Sequence, residues 1–258
     1  FNIIGNEVFL MLRGPFSTII YDRVNNCVYA SSDHNNIYPI YYSMGKKGVT
    51  FVSDPRLLYI HKALKKELDE EILFDYLVSG LPRESRTIYK NVMHVSGSSF
   101  IHIFNNFKKI KIEKYFEFKS EYKTASYSTQ QTKDIFLRTI SSKLSMVGQN
   151  IATLLSGGLD SSSITSAIDY LNKHKKLNKR IHTFSAIFPE LDPKQKNLAD
   201  ESKYIDSVLS KINCSSKKIP FNKNGPLKIF DELTDVCEPA LSPNLYINFA
   251  ILRELKKE

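Results

Sequence analysis

Residues 154–163 read LLSGGLDSSS. Gly157 and Gly158 close an apolar run in a chain that has only 10 glycines, and Asp160 stands among four serines around them. Paired glycines let a backbone turn tightly and let a ligand approach where a Cβ would block it. If a helix starts just beyond them, its first N–H groups point into the turn and form an anion nest. Ser156, Ser161 and Ser162 add hydroxyl donors for phosphate oxygens. A carboxylate beside bound phosphate repels it unless a cation lies between, so Asp160 is expected to hold Mg²⁺ against a pyrophosphate. The spacing GxxxxGK[ST] is absent, which excludes a Walker A loop. The competing explanation is a plain strand-to-helix turn in which aspartate and serines only cap the helix.

Such a loop needs a strand before it and a helix after it. IATLL (151–155) supplies an apolar strand and SSSITSAIDYLNKH (161–174) a helix. The alternation continues with strand RIHTFSAIF (180–188), helix LADESKYIDSVLSKI (198–212), strand SSKKIP (215–220) and helices PLKIFDELTDVC (226–237) and NLYINFAILRELKKE (244–258). A helix over about 130–147 precedes it, with Phe136, Ile140 and Leu144 on one face. Alternating strands and helices predict a parallel sheet covered on both faces, with ligands beyond the carboxyl ends of the strands.

The N-terminal part has a different grammar. FSTIIYD (16–22), CVYASS (27–32), IYPIYYS (37–43) and VTFVS (49–53) are rich in Val, Ile, Tyr, Phe and Thr and read as a meander with turns RVNN and MGKKG. Helices follow in DPRLLYIHKAL and ELDEEILFDYLVSG, the latter stopped by Gly80 and Pro82, and then strands over 98–104 and 109–118. Polar SEYKTASYSTQQ (120–131) reads as a linker, which sets boundaries at 1–119, 120–131 and 132–258.

Composition narrows the partners. The chain has 258 residues, 42% of them hydrophobic, enough for ordinary globular cores. No apolar run reaches the roughly 18 residues that span a bilayer, and FNIIGNEVFLMLRG lacks the features of a signal peptide, so a cytoplasmic protein is expected. The net charge of +9 is spread over lysines mixed with acids and at element ends, which argues against a nucleic-acid stripe. Cys27, Cys214 and Cys237 have no disulfide or zinc spacing. The six histidines, His34, His61, His94 and His182 among them, show no metal-ligand spacing and read as structural. Asp200 and Glu201 open a helix where acids favour the macrodipole.

LLSGGLDSS resembles the pyrophosphate loop of the N-type ATP pyrophosphatases, in the version carried by the asparagine synthetase family. GPFSTIIYD, ASSDHNNIYPIYYS followed by FVSDPRLLY, HTFSAIFPE, ADESKYIDSVL and CEPALSPNLYINFAIL are similar to further family segments in the expected order, covering the chain from about Gly14 onward. The resemblance implies an antiparallel β-rich class II glutamine amidotransferase (Ntn-type) domain, followed by a doubly wound parallel α/β synthetase domain of the adenine nucleotide alpha hydrolase type. It implies ATP and Mg²⁺ as cofactors and a carboxylate substrate, small or peptidic, activated as an acyl-adenylate for attack by an amine. Glutamine is the ammonia source in that scheme. By resemblance, Ser156, Gly157, Gly158, Asp160 and Ser161 meet the phosphates and metal, Ala186 meets adenine through its backbone, and Leu154 lies beside the nucleotide. Asp33 corresponds to the aspartate that holds glutamine's amino group.

The departures shape the expectation. The family's N-terminal cysteine nucleophile and Asn-Gly pair are not matched, and Cys27 falls inside a predicted strand. The family's Ser-Gly-Glu-Gly-Gly-Asp-Glu segment and downstream catalytic lysine are not matched either. The chain is therefore read as an internal piece, with no catalytic residue assigned. Asp33-His34-Asn35-Asn36 departs from the usual Asp-Arg-x-Gly. Lasso peptide cyclases and β-lactam synthetases keep the loop and lose the cysteine, so macrocyclisation stands as the alternative to asparagine synthetase-like amide formation. An inactive nucleotide-binding remnant is the third reading.

Overall fold

The computed structural model describes residues 5–46, 48–60, 65–80, 85–117, 128–221, 229–236 and 245–257. Contacts divide the chain into two compact units, Phe1–Lys123 and Thr124–Glu258. Pro82, His61, Cys237 and most of the predicted linker lie outside the described residues.

The first unit opens with a 3-10 turn, Gly5–Glu7, and a short helix α1 (Val8–Met11), neither evident from the sequence. Strands β1 (Ser17–Asp22) and β2 (Cys27–Ser32) form a hairpin, as do β3 (Tyr41–Gly45) and β4 (Gly48–Val52). Helices α2 (Arg56–Ile60) and α3 (Glu70–Ser79) follow, then β5 (Met93–His94), β6 (Ser99–Phe104) and β7 (Lys109–Lys114). The strands do not form the single meander expected. They make two antiparallel sheets, ordered β1-β2-β6-β7 and β4-β3-β5. Ala30, Ile101 and Ile103 of the first sheet share one core with Tyr42 of the second, together with Ile40 and Val95. The alternation of strand side chains puts one apolar row of each sheet into that core. Strand β3 begins four residues later than the start predicted for it, at Tyr41, because Pro39 cannot donate to a ladder; Ile37 and Tyr38 are exposed. Helix α3 shows its expected ends, with Asp69 accepting the Ile72 N–H and Gly80 at φ 74°.

The second unit begins with α4 (Thr129–Leu144), set by a capping box in which Ser128 and Gln131 bond reciprocally. Then come β8 (Asn150–Leu154), α5 (Leu159–Lys175), β9 (Arg180–Ile187), α6 (Pro193–Ala199), α7 (Ser202–Leu209), β10 (Ser215–Pro220), α8 (Phe230–Val236) and α9 (Leu245–Leu255). Strands β10, β9 and β8 form a parallel sheet in that order, with Leu154 opposite Phe184 at the end of the β8 pairing. One face carries Ile151 and Ile181 into a core with Leu144 of α4 and Ile168 and Leu171 of α5. The alternate residues face the other way, where Phe184 and Leu154 share a cleft with Ile247 and Ile251 of α9. The sheet is thus covered on both faces, as parallel strands require.

Candidate functional site

The 156–161 loop closes on itself through serines. The Ser161 hydroxyl oxygen accepts the Ser156 N–H (3.2 Å), the two hydroxyls lie 3.0 Å apart, and Ser156 Oγ accepts the Gly158 N–H (3.3 Å). Gly157 has φ 90°, and Gly158, in extended conformation, is the N-cap of α5. The helix starts at Leu159, two residues earlier than expected, so Asp160 sits inside its first turn. The first helical bond runs from the Ser162 N–H to the Gly158 carbonyl. The N–H groups of Leu159, Asp160 and Ser161 therefore have no helical acceptor and open toward the loop, which is the geometry of an anion site at a helix N-terminus.

Asp160 does not cap this helix. The N-cap is Gly158, no side-chain cap bond is made, and the Asp160 carboxylate is exposed without a hydrogen-bond or ion-pair partner among the described residues. Capping alone thus fails to explain an acid here. Among the described residues no group of three or more His, Cys, Asp or Glu side chains could hold a metal. Mg²⁺ fits such a site, because it takes one or two protein carboxylates and completes its octahedron with phosphate oxygens and water.

A cleft of about 370 Å³ runs from this loop along the face of the sheet. Its apolar wall includes Leu154, Phe184, Ala186, Ile247 and Ile251, and its polar lining is Ser156, Glu201 and Asn248. The backbone of Ala186 has a particular orientation. In a parallel strand alternate residues direct both N–H and C=O to the same side. The Phe184 carbonyl accepts the Leu155 N–H on the β8 side, and the Ile187 carbonyl accepts the Phe221 N–H on the β10 side. Ala186 therefore faces the β8 side, but the β8 pairing has already ended at Leu154. One backbone donor and one acceptor are left open at the head of an apolar cleft, the requirement of a flat heteroaromatic base with adjacent donor and acceptor atoms.

Gly157 is held from outside. A Cβ there would stand 3.0 Å from the Glu201 carbonyl oxygen, 3.1 Å from Tyr204 Cβ and 3.2 Å from Glu201 Cβ. The first turn of α7 is pressed onto the loop, and only glycine permits both the approach and the positive φ. The helix predicted over 198–212 is in fact broken at Asp200. Asp200 accepts the N–H and hydroxyl of Ser202 and has a buried side chain. These bonds hold its carboxyl below the usual carboxylate range. Asp200 is thus occupied by the turn, whereas Glu201 lines the cleft. The sequence marks Glu201 chiefly as a helix-start acid and does not single out Asn248 or Ile247. Their place depends on packing between elements distant in sequence.

In the first unit Asp33 is 3% exposed. Its carboxylate accepts N–H bonds from Phe16 (3.3 Å), Asn35 (2.9 Å) and Ile37 (3.0 Å). Asn36, at the position where the family pattern has glycine, has φ 52°, a left-handed conformation that asparagine tolerates better than most residues. Gly97 lies against this loop so closely that a Cβ would meet the His34 carbonyl oxygen at 2.8 Å. The Tyr115 hydroxyl donates to the Ser32 carbonyl oxygen (2.8 Å), and burial, with the Asp33 charge nearby, pushes its pKa up to about 12. His34 packs its ring on Tyr115 and Phe116. Cys27 is a buried thiol in β2, and burial raises the pKa of Cys214. Among the described residues no helix is long and apolar enough to cross a membrane.

The pattern of the Glutamine amidotransferase domain family matches residues 1–116, and that of the Asparagine synthase family matches 131–258. The chain is 26% identical to asparagine synthetase [glutamine-hydrolyzing] 3 of Bacillus subtilis over 187 residues, 70% of this chain and 29% of the relative. It is 25% identical to asparagine synthetase [glutamine-hydrolyzing] 1 of the same organism over 204 residues, 76% of this chain and 30% of the relative. The chain thus spans less than a third of the length of these curated relatives. With an antiparallel β unit under the first pattern, a parallel α/β unit under the second, and asparagine synthetases among its relatives, the chain belongs to the asparagine synthetase family.

Proposed function

We propose that the second unit is the ATP site of an amide-forming ligase, in which a carboxylate is activated as an acyl-adenylate with release of pyrophosphate. The observation that carries this is a cleft that holds the free backbone edge of Ala186 and reaches Ser156, the first residue of the loop whose helix start carries the open N–H groups of 159–161 and the unpartnered Asp160 carboxylate. The base stacks between the walls formed by Leu154 and α9, its edge on the Ala186 backbone. Ser156, Ser161 and the N–H groups of the first turn of α5 take the β- and γ-phosphates. Gly157 turns the loop at positive φ, and Gly158, open on its Cβ side apart from Ser156 Oγ, allows the phosphates to approach the main chain. Asp160 holds Mg²⁺, which when bound neutralises polyphosphate charge and assists departure of pyrophosphate. The N–H groups are fixed before reaction and point where negative charge grows on the leaving group, so they stabilise the transition state without reorganising.

Residues 1–119 are assigned to the amidotransferase-like domain, 120–131 to the linker and 132–258 to the synthetase domain. The Asp33 carboxylate is engaged by three backbone N–H groups, so it serves the 33–37 loop, and a contact to glutamine would have to reach a residue only 3% exposed. The macrocyclising alternative shares the adenylation step and differs in the amine. In the encoded protein, carboxylate-dependent exchange of labelled pyrophosphate into ATP tests the reading. Exchange that requires Mg²⁺ and a carboxylate supports it, and ATP binding without exchange under any carboxylate offered leaves only the nucleotide-binding remnant.

A further inference from the structure

Resting on the nucleotide reading of the same cleft, we infer that the Glu201 carboxylate receives the ribose hydroxyls of the nucleotide and selects ribonucleotides over deoxyribonucleotides. Glu201 lines the cleft together with Ser156 and Ala186. Its position is fixed by main chain: its carbonyl accepts the N–H groups of Tyr204 (2.9 Å) and Ile205 (3.1 Å), and its Cβ lies beside Gly157. It stands at the N-cap of α7, yet its side chain makes no cap bond, and the Tyr204 N–H, which a cap side chain could take, goes to the Glu201 carbonyl instead. No ion pair engages it among the described residues, and the nearby Lys203 ammonium lies over the Tyr204 ring at 4.8 Å instead. The carboxylate is exposed, and no described group of the protein engages it.

A carboxylate beside a polyphosphate raises its energy unless it meets donors or a cation. The donors of a nucleotide can be taken in turn. The amino group of the base has the open Ala186 carbonyl. The phosphates donate nothing. The ribose hydroxyls remain, and they lie between base and phosphates, as Glu201 lines a cleft shared with Ala186 and with Ser156 of the loop. A carboxylate can accept both hydroxyls of a cis-diol, the chemistry by which acids at the end of a strand hold ribose in dinucleotide folds.

The experiment measures dissociation constants of ATP and 2′-deoxyATP for wild type, Glu201→Gln and Glu201→Ala, with Mg²⁺ and again with EDTA. A hydrogen bond to a charged acceptor corresponds to roughly ten- to a hundredfold in affinity. Wild type should prefer ATP by about tenfold or more, and Glu201→Ala should abolish the preference by weakening ATP alone. The isosteric Glu201→Gln, with unchanged melting temperature, should retain part of it. Equal wild-type affinities, or a preference that survives in Glu201→Ala, overturns the inference while leaving the nucleotide site standing. Equal weakening of both nucleotides only when Mg²⁺ is present makes Glu201 a metal ligand and also overturns it. No ATP binding to wild type overturns the nucleotide reading itself.

Discussion

Replacing Gly157 and Gly158 by alanine, one at a time, should have very unequal consequences although the glycines are adjacent. At Gly157, φ is 90°, a region that costs an L-residue about 1–3 kcal/mol. The new Cβ would also stand 3.0 Å from a backbone oxygen and 3.1 Å from Tyr204 Cβ, neither the tip of a flexible side chain. Relief requires α7 to move, and overpacking of this kind costs about 1–3 kcal/mol more. The sum, roughly 2–6 kcal/mol, corresponds to a fall on the order of 10–20 °C in the melting temperature of a unit this size. At Gly158, φ is −67° and ψ 163°, an extended conformation open to alanine, and the nearest atom is Ser156 Oγ at 3.4 Å. Only the preference for glycine over alanine at an N-cap is lost, below about 1 kcal/mol. Thermal melts of both variants, with ATP titrations, measure the difference. Gly157→Ala should be strongly destabilised and bind ATP poorly, and Gly158→Ala should melt near wild type. Equal melting of the two, or a neutral Gly157→Ala, would refute the argument that α7 is pressed onto the loop.

Two further predictions concern pH. The folded-state pKa of Asp200 is lowered by its bonds to Ser202, so its contribution to stability is present above the unfolded value near 3.8 and is lost as pH falls through the folded one. Asp200→Ala should lose about 1–2 kcal/mol at neutral pH and show a shallower acid limb in stability against pH; an unchanged acid limb would contradict this. The folded-state pKa of Tyr115 is raised to about 12, so its contribution is complete below about pH 10 and disappears as pH rises through 12. Tyr115→Phe should cost about 1 kcal/mol at neutral pH, through the lost bond to the Ser32 carbonyl, and should flatten the alkaline limb of unfolding.

The loop was legible because its chemistry is local: glycines, serines and the acid lie within eight residues, between an apolar strand and a helix. The parallel array was legible for the same reason, since each strand and helix announces itself by its own periodicity. Where the reading slipped, side chains competed with the backbone. LADESKYID carries a continuous helical pattern, but the Asp200 carboxylate draws the Ser202 N–H to itself and ends α6. Helix α5 starts early because its N-cap is a glycine, a weak signal in sequence. Strand β5, two residues long, carries no periodicity to detect. The surroundings of Asp33 reach Phe16, 17 residues away, and those of Glu201 reach a glycine 44 residues earlier, so these neighbours had no local signature.

The central claim is that Asp160 serves a nucleotide-bound cation rather than the helix. Asp160→Asn in the encoded protein tests it most directly, with pyrophosphate exchange and a thermal melt run on the same preparations. The exposed side chain makes no cap bond, so the loss of helix-dipole interaction costs at most about 1 kcal/mol and the melt should move little. Loss of the metal-holding charge should cost several kcal/mol in the transition state, about a thousandfold or more in exchange rate. Equal exchange with equal melting would show that LLSGGLDSSS is a turn and would contradict the account.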